Sequence, residues 1–344
     1  MIPLVSIVIP SYNSSGYLQK ALNSVFGAVD AISFEIIVVD DCSEDIDSLR
    51  ALLANHDAVK LIEKRTKSNA SDSRNIGLAA ALGDFVFFLD SDDCYARGYI
   101  NNRVDLHRKL SCGVFFGNFF MVNKVGMVRS EVAAYSGGDI RSYIFGGGGD
   151  VRSSTLSLFR GEYKGTLFDP LQGKHQDWGF AVRCFDAGET MLLDPAHGVF
   201  INNGSSISRM SNRMNIEASR YFVDRYLSDS AHVATFAKRH IALAIRSGDR
   251  EGMAFLRGLL ADLVGRFAGG GRIKVLLLLV LVVPQPSVAY ARVVDAGMFV
   301  LASWRRLSRW LLENVFSHDR HAPTCSTSCT ERSDGLISGR GERK

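Results

Sequence analysis

The sequence has no disulfide framework, no excess of one charge and no apolar run long enough to cross a bilayer. Its six cysteines are spread through 344 residues, with Cys42, Cys94, Cys112 and Cys184 far apart. Disulfide-held scaffolds crowd theirs into short chains, so ordinary reduced thiols are expected. A net charge of +4 is weak for this length and does not point to nucleic acid. The most apolar stretch, residues 273–283 (IKVLLLLVLVV), falls short of the roughly 20 residues that a spanning helix needs. Neither G-x-G-x-x-G nor G-x-x-x-x-G-K-[ST] follows the first apolar strand, which argues against the usual dinucleotide and P-loop readings. Met1 leads into that strand without a basic segment, so no signal peptide is expected and a cytosolic start is. What remains is the composition of a soluble globular protein, 47% hydrophobic and 22% charged, with ample length for one large domain or two.

The most informative stretch is residues 83–93, GDFVFFLDSDD. Its first half is a continuous run of β-favouring apolar residues, as in a strand buried on both faces. At its end come three carboxylates in four positions, Asp90, Asp92 and Asp93. Carboxylates this crowded repel one another unless a cation or proton donor shares the site. A hard ion, Mn²⁺ or Mg²⁺, held by one or two of them and by substrate phosphates would resolve the repulsion. The plainer alternative is a solvated acidic turn with Ser91 capping a following helix.

Ahead of this stretch the pattern is β-α-β-α-β-α-β. Residues 4–10, 34–39 and 59–63 read as strands, and residues 17–26, 46–54 and 71–82 as helices. Short connections of this kind predict a doubly wound, mostly parallel sheet. Three strand ends then share one edge: Pro10-Ser11-Tyr12-Asn13, Asp40-Asp41 and Asp90-Ser91-Asp92-Asp93. That edge is where open α/β sheets bind ligands. An aromatic beside a carboxylate suits a nucleobase, and Arg74 is a candidate cation for phosphates. Further on, residues 112–123 read as a strand pair or long strand and residues 154–159 as another strand. Gly146 to Gly149 reads as a linker in preference to a mobile loop. Residues 175–183 (HQDWGFAVR) fit a helix with Asp177 in its first turn, where the helix dipole favours an acid.

Taken together, LVSIVIPSYNSSGYLQKALNSV, FEIIVVDDCSED and SDSRNIGLAAALGDFVFFLDSDD resemble the family 2 glycosyltransferases, inverting enzymes of GT-A fold. The resemblance is clear over residues 3–95 and looser to about residue 210. It implies an α/β, Rossmann-like, mostly parallel mixed sheet flanked by helices. It also implies that Tyr12 and Asp41 contact the base of a nucleotide-sugar, with Pro10 and Asn13 in the same loop. Arg74 matches the arginine of an A-R-N-x-G segment near the nucleotide. Asp90 and Asp92 match the metal-binding D-x-D acids, while Asp93 is assigned to nucleotide-sugar binding and could share the ion, since relatives differ in which of the acids touches it. Asp177 matches the general base of an E-D-W/Y element, although Gln176 stands where Glu is frequent. Trp178 is assigned either to the acceptor sugar or to the core. Residues 199–208 resemble the family's terminal loop without its usual His, and nothing catalytic is carried over from there.

The resemblance thus implies metal-dependent transfer of a sugar, with a UDP-sugar favoured, to a hydroxyl of a glycan or lipid-linked acceptor in cell-surface polysaccharide assembly. The rival readings are a polyprenyl-phosphate acceptor and a non-catalytic nucleotide-sugar-binding protein. Three regions are expected: 1–212 for the transferase, 213–316 for a helical extension, and 317–344 for a disordered tail. Within the extension, Arg305, Arg306 and Arg309 interleave with Trp304 and Trp310. That suits peripheral association with the inner face of a membrane, against a basic helix packed on the core. His318, His321, Cys325 and Cys329 lack the surroundings of a zinc site.

Overall fold

In the computed structural model, which describes residues 2–123, 126–130, 132–203 and 214–266, the early apolar runs pair edge to edge. Strand β1 (Val5–Ser11) leads to helix α1 (Ser15–Ala28), β2 (Phe34–Asp40), α2 (Ile46–Leu53), β3 (Val59–Glu63), α3 (Ala70–Ala80) and β4 (Phe85–Phe88). All ladders among these four strands are parallel, in the order β3-β2-β1-β4. Every residue of β1 and β4 is buried, as two-sided cover requires. Alternation divides their side chains between two cores. Ile7, Ile9, Phe85 and Phe87 meet α1, α2 and the later helix at Tyr99–Leu110, whereas Val8, Val86 and Phe88 face the side of α3.

The remaining elements make the sheet mixed. They are β5 (Cys94–Tyr95), α4 (Tyr99–Leu110), β6 (Val114–Asn123), β7 (Gly126–Arg129), α5 (Ile140–Phe145), β8 (Ser157–Phe159), α6 (Gln176–Asp186) and β9 (Met191–Asn202). β8 runs antiparallel to both β4 and β6, while β6 and β9 are parallel. Three helices follow, α7 (Ile216–Tyr226), α8 (Ser230–Ser247) and α9 (Arg250–Arg266). No described helix is long and apolar enough to cross a membrane. The 273–283 run, the Trp/Arg segment, the tail and its His/Cys group all lie outside the described residues.

Several local expectations are corrected. No helix starts at Ser91: a short strand intervenes and α4 begins at Tyr99. Sequence reading passed over α4 because its buried face carries Arg103 and His107, which conceal the apolar stripe. Arg103 is fully buried and held by Asp194 at 3.0 Å, the Thr155 carbonyl and Ser157. The expected strand at 154–159 opens instead with a 3₁₀ turn, Ser153–Thr155. Residues 199–202, matched to a loop, complete strand β9.

The four glycines are not a passive linker but a packed helix end. The Gly146 and Gly147 amides both donate to the Ser142 carbonyl at 2.8 Å, and Gly149 donates to that of Tyr143. A Cβ on Gly149 would lie 2.3 Å from the Tyr143 ring. A comparable approach joins α3 to the sheet, where a Cβ on Gly77 would sit 2.3 Å from Cγ1 of Val8. Val8 is fully buried and its branched side chain has little rotamer freedom. Gly77→Ala should therefore cost about 1–3 kcal/mol, measurable as a lower urea midpoint with an unchanged m-value.

Candidate active site

Register brings the polar strand ends together. Val8 pairs with Phe88 and Ser11 with Asp40, so the residues after β1, β2 and β4 emerge along one edge. A cleft of about 1430 Å³ opens there. Its lining includes Pro10, Tyr12, Asn13, Asp41, Arg74, Asp90, Asp92, Asp177 and Trp178. All the residues selected from sequence are therefore gathered in one place, except Asp93.

The first end of the cleft is built from two interlocked loops. Asn13 adopts a left-handed conformation (φ +48°), which asparagine tolerates better than most residues. It is fixed there by Ser43 Oγ, which accepts from its amide, and by its own Oδ1, which accepts from the Glu44 amide. Tyr12 is 43% exposed, with Lys67 Nζ 3.3 Å from its ring centre. Asp41 accepts from Lys64 Nζ at 2.7 Å and the Ser68 amide at 2.8 Å. Burial works against the charge on Lys64, yet its bonds to Asp41 and Asp72 hold its pKa above the ordinary value.

At the centre, the three clustered acids separate. Asp90 and Asp92 line the cleft. Asp93 is buried behind it, where Ser154 Oγ donates to one oxygen at 2.6 Å and the Asn202 amide to the other at 2.9 Å. Burial, reinforced by the nearby charges of Asp90 and Asp92, pushes Asp93 well above the usual carboxylate range. Sequence spacing alone does not reveal which of three adjacent acids turns inward. Arg74, almost completely buried, donates through Nη2 to Asp90 and through Nη1 to Gln176 Oε1 at 2.9 Å.

The far end is organised by the first turn of α6. Three successive residues point to three tasks: Gln176 ties to Arg74, Asp177 lines the cleft, and Trp178 forms its wall. Burial raises the Asp177 carboxyl to about 6, against the pull of Arg152 and with the help of Asp150. Trp178 is only 9% exposed and stacks on His175 with centroids 5.3 Å apart. Its Nε1 donates to Asp150 Oδ1 at 2.9 Å. The other Asp150 oxygen accepts from Arg152 Nε, also at 2.9 Å. Arg152, Lys174, Arg239 and His240 complete this end. None was selected from sequence, because each reads singly as a solvated charge; Asp150 was hidden by the linker reading of the glycines before it.

Among the described residues, no three His, Cys, Asp or Glu side chains group into a metal cage. Two cleft carboxylates suit instead an ion shared with the phosphates of a ligand.

Residues 6–168 match the family model described as glycosyl transferase family 2. This segment is a family 2 glycosyltransferase domain. Among similar proteins is the amylovoran biosynthesis glycosyltransferase AmsB of Erwinia amylovora, 27% identical over 202 residues, covering 55% of this chain and 66% of AmsB. Another is the UDP-Glc:alpha-D-GlcNAc-diphosphoundecaprenol beta-1,3-glucosyltransferase WfgD of Escherichia coli, 31% identical over 130 residues, covering 38% of this chain and 51% of WfgD. The matches thus span between half and two thirds of these two relatives. Among solved structures, S. aureus TarS 1–349 in complex with UDP-GlcNAc superposes with a TM-score of 0.56 at 20% identity, over 88% of this chain and 91% of TarS. That likeness shows the fold, which is GT-A. The matched family 2 segment ends before α6, so Asp177 and Arg239 stand on elements beyond it.

Proposed function

We propose that this chain transfers a sugar, with inversion, from a nucleoside diphosphate donor to a hydroxyl of a glycan or lipid-linked acceptor. The observation that carries the reading is the alignment along one cleft of Tyr12, the Asp90/Asp92 pair and a raised carboxyl at Asp177. Tyr12 offers a face for the base and Asp41 hydrogen-bond acceptors beside it. Arg74 lies next to the place for the diphosphate. Asp177 takes the proton from the attacking hydroxyl, a role for which a pKa near the working pH is favourable. Asp90 and Asp92 would hold Mn²⁺ or Mg²⁺ together with the donor phosphates. Such an ion supplies charge stabilisation for the departing diphosphate.

A UDP-sugar is the favoured donor, supported by the UDP-Glc from which WfgD takes its name and by the UDP-GlcNAc bound in the TarS crystals. Amylovoran biosynthesis, in the name of AmsB, and a diphosphoundecaprenol-linked acceptor, in that of WfgD, support a place in polysaccharide assembly; its setting at the cytoplasmic face of a membrane is carried by the family resemblance alone. The regions proposed are the transferase over residues 1–212 and, from residue 213, an extension that opens with α7, α8 and α9 and makes peripheral membrane contact; its part beyond residue 266 and the region 317–344 lie outside the described residues.

A thermal-shift series with nucleoside diphosphates tests the donor half. UDP with Mn²⁺ at about a hundredfold excess over Kd should add about 2.7 kcal/mol, raising Tm by some 5–10 °C. The shift should shrink when EDTA removes the ion. If no nucleoside diphosphate moves Tm under either condition, the reading fails.

A further inference from the structure

At the acceptor end, Arg239 from α8 lies with its guanidinium carbon 5.8 Å from the Trp178 ring centre and 5.8 Å from that of Phe145. Its Nη2 donates to the carbonyls of Ile144 and Gly149, at 2.6 and 3.2 Å. Among the described residues its Nε and Nη1 have no hydrogen-bond partner and no carboxylate lies within ion-pair reach. The acid that acts on it from further away, Asp150, already has its two oxygens on Trp178 and Arg152. Burial pulls the Arg239 pKa below its ordinary value.

A half-buried guanidinium anchored by one nitrogen, with a fork of donors left over at a cleft wall, is unfavourable without an anion. It is also pre-organised for the oxygens of a phosphate or carboxylate. Arg152 and Lys174 line the same end of the cleft and strengthen the local positive potential.

We infer that the acceptor carries an oxyanion, a phosphate or a carboxylate, and that Arg239 binds it while a separate hydroxyl of the same acceptor is presented to Asp177. This inference rests on the sugar-transfer reading and narrows its acceptor class. The oxyanion is a handle, and no bond to it is made or broken. α8 lies outside the matched family segment, so the match to that family does not by itself assign this role to Arg239.

The test uses the full chain, with and without saturating UDP and Mg²⁺, and three probes. Methyl diphosphate stands for a lipid-linked diphosphate, dimethyl phosphate for a phosphodiester polymer, and acetate for a uronic acid. Phenylglyoxal modification of Arg239 is followed by peptide mass mapping. At least one probe should slow it about tenfold, the range for hydrogen bonds to a charged group, and the most protective probe identifies the source. Arg239→Gln should weaken binding of that probe about tenfold, whereas Arg239→Lys, which keeps the charge, should lose less. Protection by none of the three, or equal binding by Arg239→Gln, overturns the inference. The mass-mapped protection needs no variant, so a poorly folding substitution does not obstruct it. UDP binding is read separately by thermal shift; its failure would count against the donor reading, while protection of Arg239 still decides the oxyanion site.

Discussion

Asp177→Asn should lower transfer by about 10³-fold, within the range for a general base, while leaving UDP affinity within about twofold of wild type as expected for a group off the donor end. The substitution keeps the side chain's size and its acceptor for the Trp178 amide, so geometry is preserved and only the proton acceptor is lost. The same experiment separates the acceptor classes. A polyprenyl phosphate attacks through an oxygen that is already ionised, and Asp177→Asn would then retain most activity.

The pH profile supplies a second reading. Asp177 must be ionised to accept a proton, and burial raises it to about 6. The rate should therefore be level above that pH and fall about tenfold per unit below it. The stability consequence has the opposite sense. Between the unfolded value near 4 and the folded value the native state binds more protons, so this group's contribution to stability falls as pH rises through that window. Asp177→Asn should consequently melt higher than wild type at pH 7, with the advantage disappearing below pH about 4. A lower Tm at pH 7 combined with unchanged transfer would remove Asp177 from the catalytic role.

The second large effect concerns Arg74. Replacement by Met should destabilise the fold by about 3 kcal/mol and weaken UDP binding by about 10²-fold, at the lower end for breaking a buried ion pair. Two groups lose their partner together. Gln176 Oε1 is left unpaired in a buried position, and Asp90 faces its neighbouring acids without a counter-charge. The value lies at the lower end because Asp90 keeps 38% of its side chain exposed. Arg74→Lys should rescue little, since one ammonium does not reproduce the two-pronged bridge to Asp90 and Gln176. Urea titration and UDP calorimetry measure the two losses, and full retention of both would contradict the bridging role.

The parallel half of the sheet was legible because buried parallel strands are continuous apolar runs. The four strands at 4–10, 34–39, 59–63 and 85–89 lie within about a residue of their observed limits. The end of the cleft built on these strands was equally legible, since Tyr12 and Asp41 follow strands directly, Asp90 lies two residues past β4, and the strand ends fix where they emerge. The far end was not. Asp150 and Arg152 come from the segment after α5, Lys174 from the loop before α6 and Arg239 from α8, and the packing of α5 against both α6 and α8 helps to bring them together. The inward turn of Asp93 depends on Ser154 and Asn202, partners far away in sequence. Helix α4 escaped notice because a charge that will be buried looks, in one dimension, like a charge that will be solvated.

The way Gln176, Asp177 and Trp178 divide their attention has a bearing on what variation this chain can absorb. Adjacent positions on a helix are about 100° apart, so their three directions are locked to a single starting point at His175. Inserting or deleting one residue within that first turn would shift the positions after it by this angle, separating the acid from the amide and the indole that now flank it. The connection ahead is bound in composition as well, because Phe168 and Gln172 are fully buried and Asp169 accepts from Tyr221 and Tyr226.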